Sequence, residues 1–247
     1  MANQDRLRLY NLVMGLFHAA QGVAVVLLAN QFTLPVTATY LEGPPGTPAT
    51  ESVTLFDLSV AWGVALFLFL SALFHWIIIS PTFYNRYRAG LEAHRNHFRW
   101  VEYSLSASVM IVLIAMLTGI SDAAALIALF GVNASMIFFG AVQEKYEEPG
   151  GSLMPFWLGC VAGIVPWLGI AVYLFSPGSG AEPPGFVYGI FFSLFVFFNT
   201  FALNQWLQYR KVGKWADYLY GERAYVLLSL VAKSALAWQV FGGTLAV

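Results

Sequence analysis

The sequence predicts an all-α membrane protein: one bundle of seven transmembrane helices formed by residues 1–247 as a single domain. Three observations support this fold class. First, 59% of the residues are hydrophobic and only 10% are charged, whereas soluble proteins carry about 25% charged residues. Second, seven apolar runs reach the length of about 20 residues that a helix needs to cross a bilayer. Third, the basic residues lie almost entirely on one side of these runs. This composition argues against a soluble enzyme.

The predicted spans are residues 9–30, 57–80, 93–118, 122–143, 152–176, 185–210 and 221–247. Of the twelve Lys and Arg residues, all but Lys233 belong to the N-terminal tail or to the connections and helix ends on that same side. The positive-inside rule then predicts an inside N-terminus and an outside C-terminus. We expect a multi-pass protein of the cell membrane, embedded in the lipid bilayer. Because the net charge is only −1, we expect no nucleic-acid partner.

Residues 31–56, on the outside between the first two spans, are predicted to form a short β-hairpin. Segments rich in Val and Thr, 36–39 and 53–55, flank a Gly-Pro-Pro-Gly turn at 43–46, a pattern typical of paired strands. An isolated hairpin is marginally stable. We therefore expect it to pack on the bundle or on a second subunit.

Lys233 lies about twelve residues, or ~18 Å, into the last span. An isolated charge at that depth costs about 2.5–3.5 kcal/mol, so the lysine needs a partner or a function. One interpretation is a structural lysine paired with a carboxylate. The interpretation we favour is a Schiff-base lysine, because a desolvated amine loses its proton readily and attacks an aldehyde. Ser229 precedes it by one turn on the same helix face.

Glu102 is the predicted partner of Lys233. Both spans run from inside to outside, and both residues lie at a similar depth, ~14–18 Å from the inner edge. A buried carboxylate beside a buried cation relieves the cost of each. Arg99 lies three residues before Glu102, and we interpret it either as a solvated loop residue or as an inner gate for the Glu102 site.

His18 and His75 fall in the inner halves of the first two spans. Three interpretations are open: polar packing, a titratable cavity beside Glu102, or a zinc site completed by a carboxylate. Glu144 and Glu222 lie at the inner boundary next to basic residues. Solvated ion pairs are the favoured interpretation there, with a gating role as the alternative.

The outer half of the bundle is predicted to be free of titratable groups. From mid-span outward the predicted spans contain no Asp, Glu, His or Lys, apart from aspartates at the helix ends. An outward pump needs titratable groups on both sides of its switch. This distribution argues against a conventional proton pump.

Four aromatic residues are candidates to line the binding pocket of a long apolar ligand: Trp157, Trp167, Phe198 and Trp238.

Several long stretches carry a family resemblance: residues 40–47, 98–108, 130–136, 143–146, 184–189, 221–225 and 229–239. The most specific is Ser-Leu-Val-Ala-Lys-Ser-Ala-Leu-Ala-Trp-Gln around Lys233. Together they resemble the heliorhodopsins, a family of microbial retinal proteins, over nearly the whole chain. The resemblance implies all-trans retinal on Lys233 as a protonated Schiff base, with Glu102 as counterion. It also implies an inside N-terminus, which the charge distribution predicts independently.

The resemblance implies roles for further residues. Ser229 takes the place of the second carboxylate of proton-pumping rhodopsins. A polar cavity inward of the Schiff base would be formed by His18, Ser71, His75, Asn96, Tyr103 and Ser106, and the retinal pocket would include Asn133, Met136, Trp157, Phe198 and Gln205. The resemblance also implies a homodimer joined through the first outside loop. Most members of the family show slow photocycles without ion transport.

These arguments predict a light-absorbing receptor that is not an enzyme and has no metal site. We expect photoisomerisation to shift the helices and to signal to an inner-side partner that the sequence leaves unidentified. One alternative is a light-gated proton or ion conductor. An alternative from another class is a seven-helix metal-dependent hydrolase that uses His18 and His75.

Overall fold

The predicted seven-helix bundle is confirmed by the computed structural model, which describes residues 2–48, 51–176, 178–180 and 182–246. Within these residues, seven helices are long and apolar enough to cross a membrane. They are α1 (Ala2–Leu28), α2 (Val60–Ile79), α4 (His97–Leu117), α5 (Ala123–Tyr146), α6 (Met154–Phe175), α7 (Gly185–Tyr209) and α8 (Tyr218–Val240), with a shorter α3 (Tyr84–Glu92) between α2 and α4.

Several helix ends differ from the predicted spans, and polar caps explain two of them. The third span begins at His97 rather than at residue 93, because the Asn96 side chain accepts a hydrogen bond from the Arg99 backbone N–H at 3.1 Å. The last span begins at Tyr218 rather than at residue 221, after Asp217 caps it in the same way. Residues 57–59, predicted to open the second span, belong to a strand. The sequence reasoning also missed α3.

The helices form a closed ring in chain order. Each membrane helix packs on the next one, and α8 returns to α1. Helix α4 also contacts α6 and α7, and it is the most buried of the seven. Most of its side chains are buried in the bundle. The residues at 99, 102 and 106 are thereby carried into the interior rather than into lipid.

The predicted hairpin is confirmed as β1 (Thr33–Ala38) and β2 (Val53–Ser59), which pair antiparallel with a bulge at Val36/Thr37. It packs on the α4–α5 turn, where the Thr37 backbone N–H donates to the Ser121 carbonyl at 2.8 Å. Strand β2 exposes the side chains of Val53, Leu55 and Phe56. A dimer joined through this hairpin stays a prediction, which the mass of the protein in detergent would test.

The interior divides into an apolar half and a polar half. We call the end that carries the hairpin the hairpin end, and the end formed by α3 and by the α5–α6 and α7–α8 connections the basic end. The interior towards the hairpin end is an apolar core that includes Val25, Phe67, Ile111, Ile114, Leu236 and Val240. Towards the basic end the buried residues include Asn11, His18, Asn96, Arg99, Glu144 and Glu222.

Gly140 allows α5 to approach α4 closely. A Cβ atom there would lie 2.5 Å from Cζ3 of the buried Trp100 ring. Gly131, on the same helix, has open space around the corresponding position. We expect Gly140→Ala to lower the free energy of unfolding by about 1–3 kcal/mol through overpacking.

Gly131→Ala is the matched control, and we expect it to be neutral or to stabilise by about 0.5–1 kcal/mol, because Ala favours a helix interior. Thermal unfolding of both variants in detergent, followed by circular dichroism, measures the difference. Equal unfolding midpoints for the two variants would contradict the proposed contact.

Candidate functional site

Lys233 and Glu102 form an ion pair in the interior. Helix α8 contributes Lys233 and α4 contributes Glu102, and their side chains are only 4% and 7% exposed. Lys233 Nζ lies 2.7 Å from Glu102 Oε1. Removing one partner of such a pair would leave an uncompensated buried charge, which typically costs about 3–5 kcal/mol. The pair predicted from equal depth in the two spans is therefore in direct contact in the folded chain.

Two serines complete the surroundings of this pair. Lys233 Nζ donates to Ser71 Oγ at 2.5 Å and to Ser229 Oγ at 3.0 Å. Ser71 in turn donates its hydroxyl proton to Glu102 Oε1 at 2.6 Å. The three donors of a lysine ammonium thus each have an acceptor. The arrangement favours a protonated nitrogen at Lys233 and an ionised carboxylate at Glu102.

A largely apolar cavity begins at Lys233. It encloses about 810 Å³ of space free of protein atoms, a volume that includes its open mouth. Its polar end is formed by Lys233, Ser229 and Tyr103. The remaining wall includes the predicted Ser106, Met136, Phe198 and Gln205, and also Trp100, Phe156, Phe201 and Tyr225.

This cavity fits retinal in its chemistry. Retinal is a long apolar chain with one aldehyde, and the cavity offers an apolar wall with one amine at its end. Trp167 packs edge-on against Phe198 with ring centroids 5.4 Å apart, which supports the wall from behind. Asn133, which was predicted to belong to the pocket, is buried and donates to Ser108 Oγ on α4 at 3.0 Å. It is not among the residues that line the cavity.

Trp157 and Trp238 were predicted to line the pocket, but the structure places neither of them in its wall. Trp157 is 55% exposed on the outer face of α6, and Phe156, one residue earlier, faces the cavity instead, because neighbouring helical positions point about 100° apart. Trp238 is 42% exposed and donates from its indole to Gln21 on α1 at 2.9 Å. It lies five residues after Lys233, about 140° around the helix.

A second, polar cavity of about 390 Å³ lies on the basic side of the Lys233–Glu102 pair. Of the predicted polar residues it is lined by Ser71, His75, Asn96, Arg99, Tyr103 and Ser229, together with Glu102 itself. Asn11, which the sequence reasoning missed, also lines it. The sequence feature that could have identified Asn11 is a polar amide side chain within an apolar span. Ser106 lines the apolar cavity instead.

His75 and His18 form a stacked pair at the edge of this cavity. Their ring centroids are 5.6 Å apart and the rings are inclined by 18°. His75 Nδ1 lies 2.8 Å from Asn11 Oδ1, and because the Asn11 amide group donates to the Leu7 carbonyl, His75 is the donor here. His18 lies behind it, fully buried. Among the described residues no cluster of three or more His, Cys, Asp or Glu side chains is suited to a metal ion.

Arg99, Glu144 and Glu222 form a buried ionic cluster at the basic end. Arg99 Nη2 lies 2.6 Å from Glu144 Oε1 and 2.8 Å from Glu222 Oε1. The favoured interpretation of the two glutamates as solvated ion pairs is wrong, and so is the solvated alternative for Arg99. Each glutamate instead turns inward to the arginine of α4. The adjacent Arg223 remains at the surface, 3.7 Å from Asp217.

Comparison with known proteins identifies the family of the chain. A family model described as Heliorhodopsin matches residues 7–245, nearly the whole chain. A comparison with curated proteins finds no match. The match includes Lys233, Glu102 and the residues of both cavities. The chain therefore belongs to the heliorhodopsin family, whose members are retinal-binding, light-sensing membrane rhodopsins.

Proposed function

We propose that the protein is a light receptor that carries all-trans retinal on Lys233, with Glu102 as the counterion, and that it signals without pumping ions. The observation that carries this proposal is the amine of Lys233, 2.7 Å from Glu102, at the polar end of an apolar cavity. Retinal bound there supplies the absorption of visible light and the isomerisation that starts a photocycle.

The residues around Lys233 stabilise a positive charge on its nitrogen and accept hydrogen bonds from it. Glu102 provides the opposite charge, and Ser71 bridges the two groups by accepting from Nζ at 2.5 Å and donating to Glu102 at 2.6 Å. Ser229, at 3.0 Å from Nζ, orients the nitrogen but carries no charge. A displaced proton therefore has one nearby carboxylate as its first acceptor.

The polar cavity supports a path along which a proton could leave the Lys233–Glu102 pair towards the basic end and return. It is lined by His75, Asn11 and Asn96 beyond Glu102. The His75 side chain holds its Nδ1 on Asn11 at 2.8 Å, which leaves Nε2 as the ring nitrogen able to accept a proton. The proposed path is thus from Lys233 to Glu102 and the cavity, and back.

The apolar core supports the absence of pumping. Between Lys233 and the hairpin end, the interior is filled by side chains such as Phe67, Ile114 and Leu236, which are fully buried and offer no proton acceptor. A proton that moves only through the polar half returns to its origin. We propose that the helices instead transmit the change to a partner at the basic end, in a homodimer of the cell membrane and without enzymatic activity.

Lys233→Ala should abolish the visible absorption band of protein purified with all-trans retinal, because Lys233 Nζ is the amine proposed to hold it. Lys145→Ala, at an exposed position of α5, is the matched control and should keep the band. An absorption spectrum of each purified variant decides this. A visible band that survives in Lys233→Ala would sink the assignment, and no band in the well-folded parent protein would sink the receptor proposal.

Ser71→Ala should shift the midpoint of the acid-induced colour change to higher pH by about 1–2 units. A hydrogen bond to a charged group contributes about 1.5–3 kcal/mol, and 1.36 kcal/mol corresponds to about one unit. The loss of this bond destabilises the ionised form of Glu102, so protonation occurs at higher pH. Ser234→Ala serves as the control, since no hydrogen bond joins Ser234 to Glu102. An unchanged midpoint, or one at lower pH, would refute the role of Ser71.

Illuminated vesicles that contain the protein should show no sustained pH change that an uncoupler abolishes. The reason is the apolar half of the interior, which interrupts any path across the membrane. Recording under voltage clamp addresses the alternative of a light-gated conductor, and no photocurrent is expected. An uncoupler-sensitive pH change would establish a pump, and a steady photocurrent would establish a conductor.

A further inference from the structure

The buried cluster at the basic end contains one positive and two acidic side chains. The exposed fractions of the side chains of Arg99, Glu144 and Glu222 are 4%, 6% and 1%. Both carboxylates approach the same nitrogen, Arg99 Nη2, at 2.6 and 2.8 Å. With both acids ionised, two negative charges would share one cation away from water. Like charges at such a distance disfavour double ionisation.

Glu144 has the hydrogen-bond partners of an ionised carboxylate. In addition to Arg99, its oxygens accept from Tyr218 Oη at 2.9 Å, from the Asn96 backbone N–H at 2.8 Å and from Trp100 Nε1 at 2.5 Å. All four partners are donors. A proton on Glu144 would displace one of them, so this carboxylate is the one that balances the charge of Arg99.

Glu222 has fewer donors. Its Oε2 accepts from Asn96 Nδ2 at 2.7 Å. Its Oε1 is buried and makes no aligned hydrogen bond, although it lies 2.8 Å from Arg99 Nη2. This oxygen is therefore the position in the cluster where a proton displaces no existing hydrogen bond.

The other groups that face the two glutamates add no compensating cation in direct contact. Besides Arg99, the tyrosines around them are Tyr87 on α3, Tyr209 on α7, and Tyr218 and Tyr225 on α8. The cleft beside Glu144 adds His94, Arg95, Glu147, Glu148 and Lys211, and the His94 ring stacks on Tyr218 at 4.9 Å. Among the described residues, Arg99 is the one cation within ion-pair distance of either glutamate. Burial raises the pKa of Tyr87 above its usual value, so that phenol stays neutral.

The cluster lies between the polar cavity and a cleft open at the basic end. Asn96 and Arg99 line the cavity that contains Glu102. Glu144 and Tyr218 line the cleft, together with Arg95 and Lys211 from its rim. Asn96 touches both glutamates, through its backbone N–H and its side-chain amide. Glu144 therefore lies in the wall of the cleft, and Asn96 connects it to Glu222.

We propose that Glu222 is a second proton-binding site of the bundle, separate from the Lys233–Glu102 pair. It carries one proton at neutral pH and exchanges it with solvent in the cleft by way of Glu144 and Tyr218. The site goes beyond the proposed light-receptor function and does not require it, because the cluster makes no contact with Lys233. Failure of retinal binding and failure of this proposal are thus distinguishable.

Infrared spectroscopy of the full protein in lipid at neutral pH tests the site, since a protonated carboxyl group has its own C=O stretching band. We expect this band in the parent protein and its loss in Glu222→Gln. Glu144→Gln should also lose it, because the single remaining carboxylate would then pair with Arg99 and ionise. Glu148→Gln, an exposed acid at the same end, is the control and should keep the band.

Transfer of the parent protein into D₂O provides a measurement that needs no variant. The band should move to lower frequency as the proton exchanges through the cleft, and it should disappear as the pH is raised. Absence of the band from the parent protein at neutral pH would overturn the proposal, and so would its persistence in Glu222→Gln. A band that stays unshifted in D₂O would overturn the connection to the cleft.

Discussion

A charge inside a bilayer must be paired, and the arrangement of this bundle depends on that constraint at Lys233. Its ammonium group is within hydrogen-bond distance of Glu102 and of two serines. These partners come from α2, α4 and α8, so the pair requires three helices to meet at one depth. An apolar pocket alone could tolerate several packings, but a buried ion pair with its hydrogen bonds tolerates few.

The same constraint acts a second time, one turn of α4 nearer the basic end. Arg99 is held by Glu144 and Glu222, and its guanidinium lies over the rings of Trp100 and Tyr225 at 4.2 and 3.9 Å from their centroids. Tyr225 also lines the apolar cavity beside Lys233. The two ionic sites therefore share a wall. Because Tyr225 contacts both the cavity and Arg99, a movement of this ring in the cavity would act directly on the arginine cluster.

The interior is polar on one side of Lys233 and apolar on the other, and this asymmetry limits what the protein can do. Among the described residues, the titratable side chains near the Lys233–Glu102 pair lie towards the basic end, along the cavity lined by His75 and Asn96. Towards the hairpin end the packing is formed by aliphatic and aromatic side chains. The proposal of a receptor rather than a pump rests on this asymmetry of the described residues.

The seven spans, the hairpin and the pairing of Lys233 with Glu102 could be predicted without a structure, because apolar length, turn residues and an isolated charge in a span are features of the chain itself. The packing of the helices was needed to show which way the side chains near the helix ends face. Glu144 and Glu222 stand beside basic neighbours in the chain but turn to Arg99, and Trp157 and Trp238 turn away from the cavity. The physical reason is that rotation about a helix axis is set by contacts between helices distant in sequence, and hydropathy carries little information about it when nearly every face is apolar.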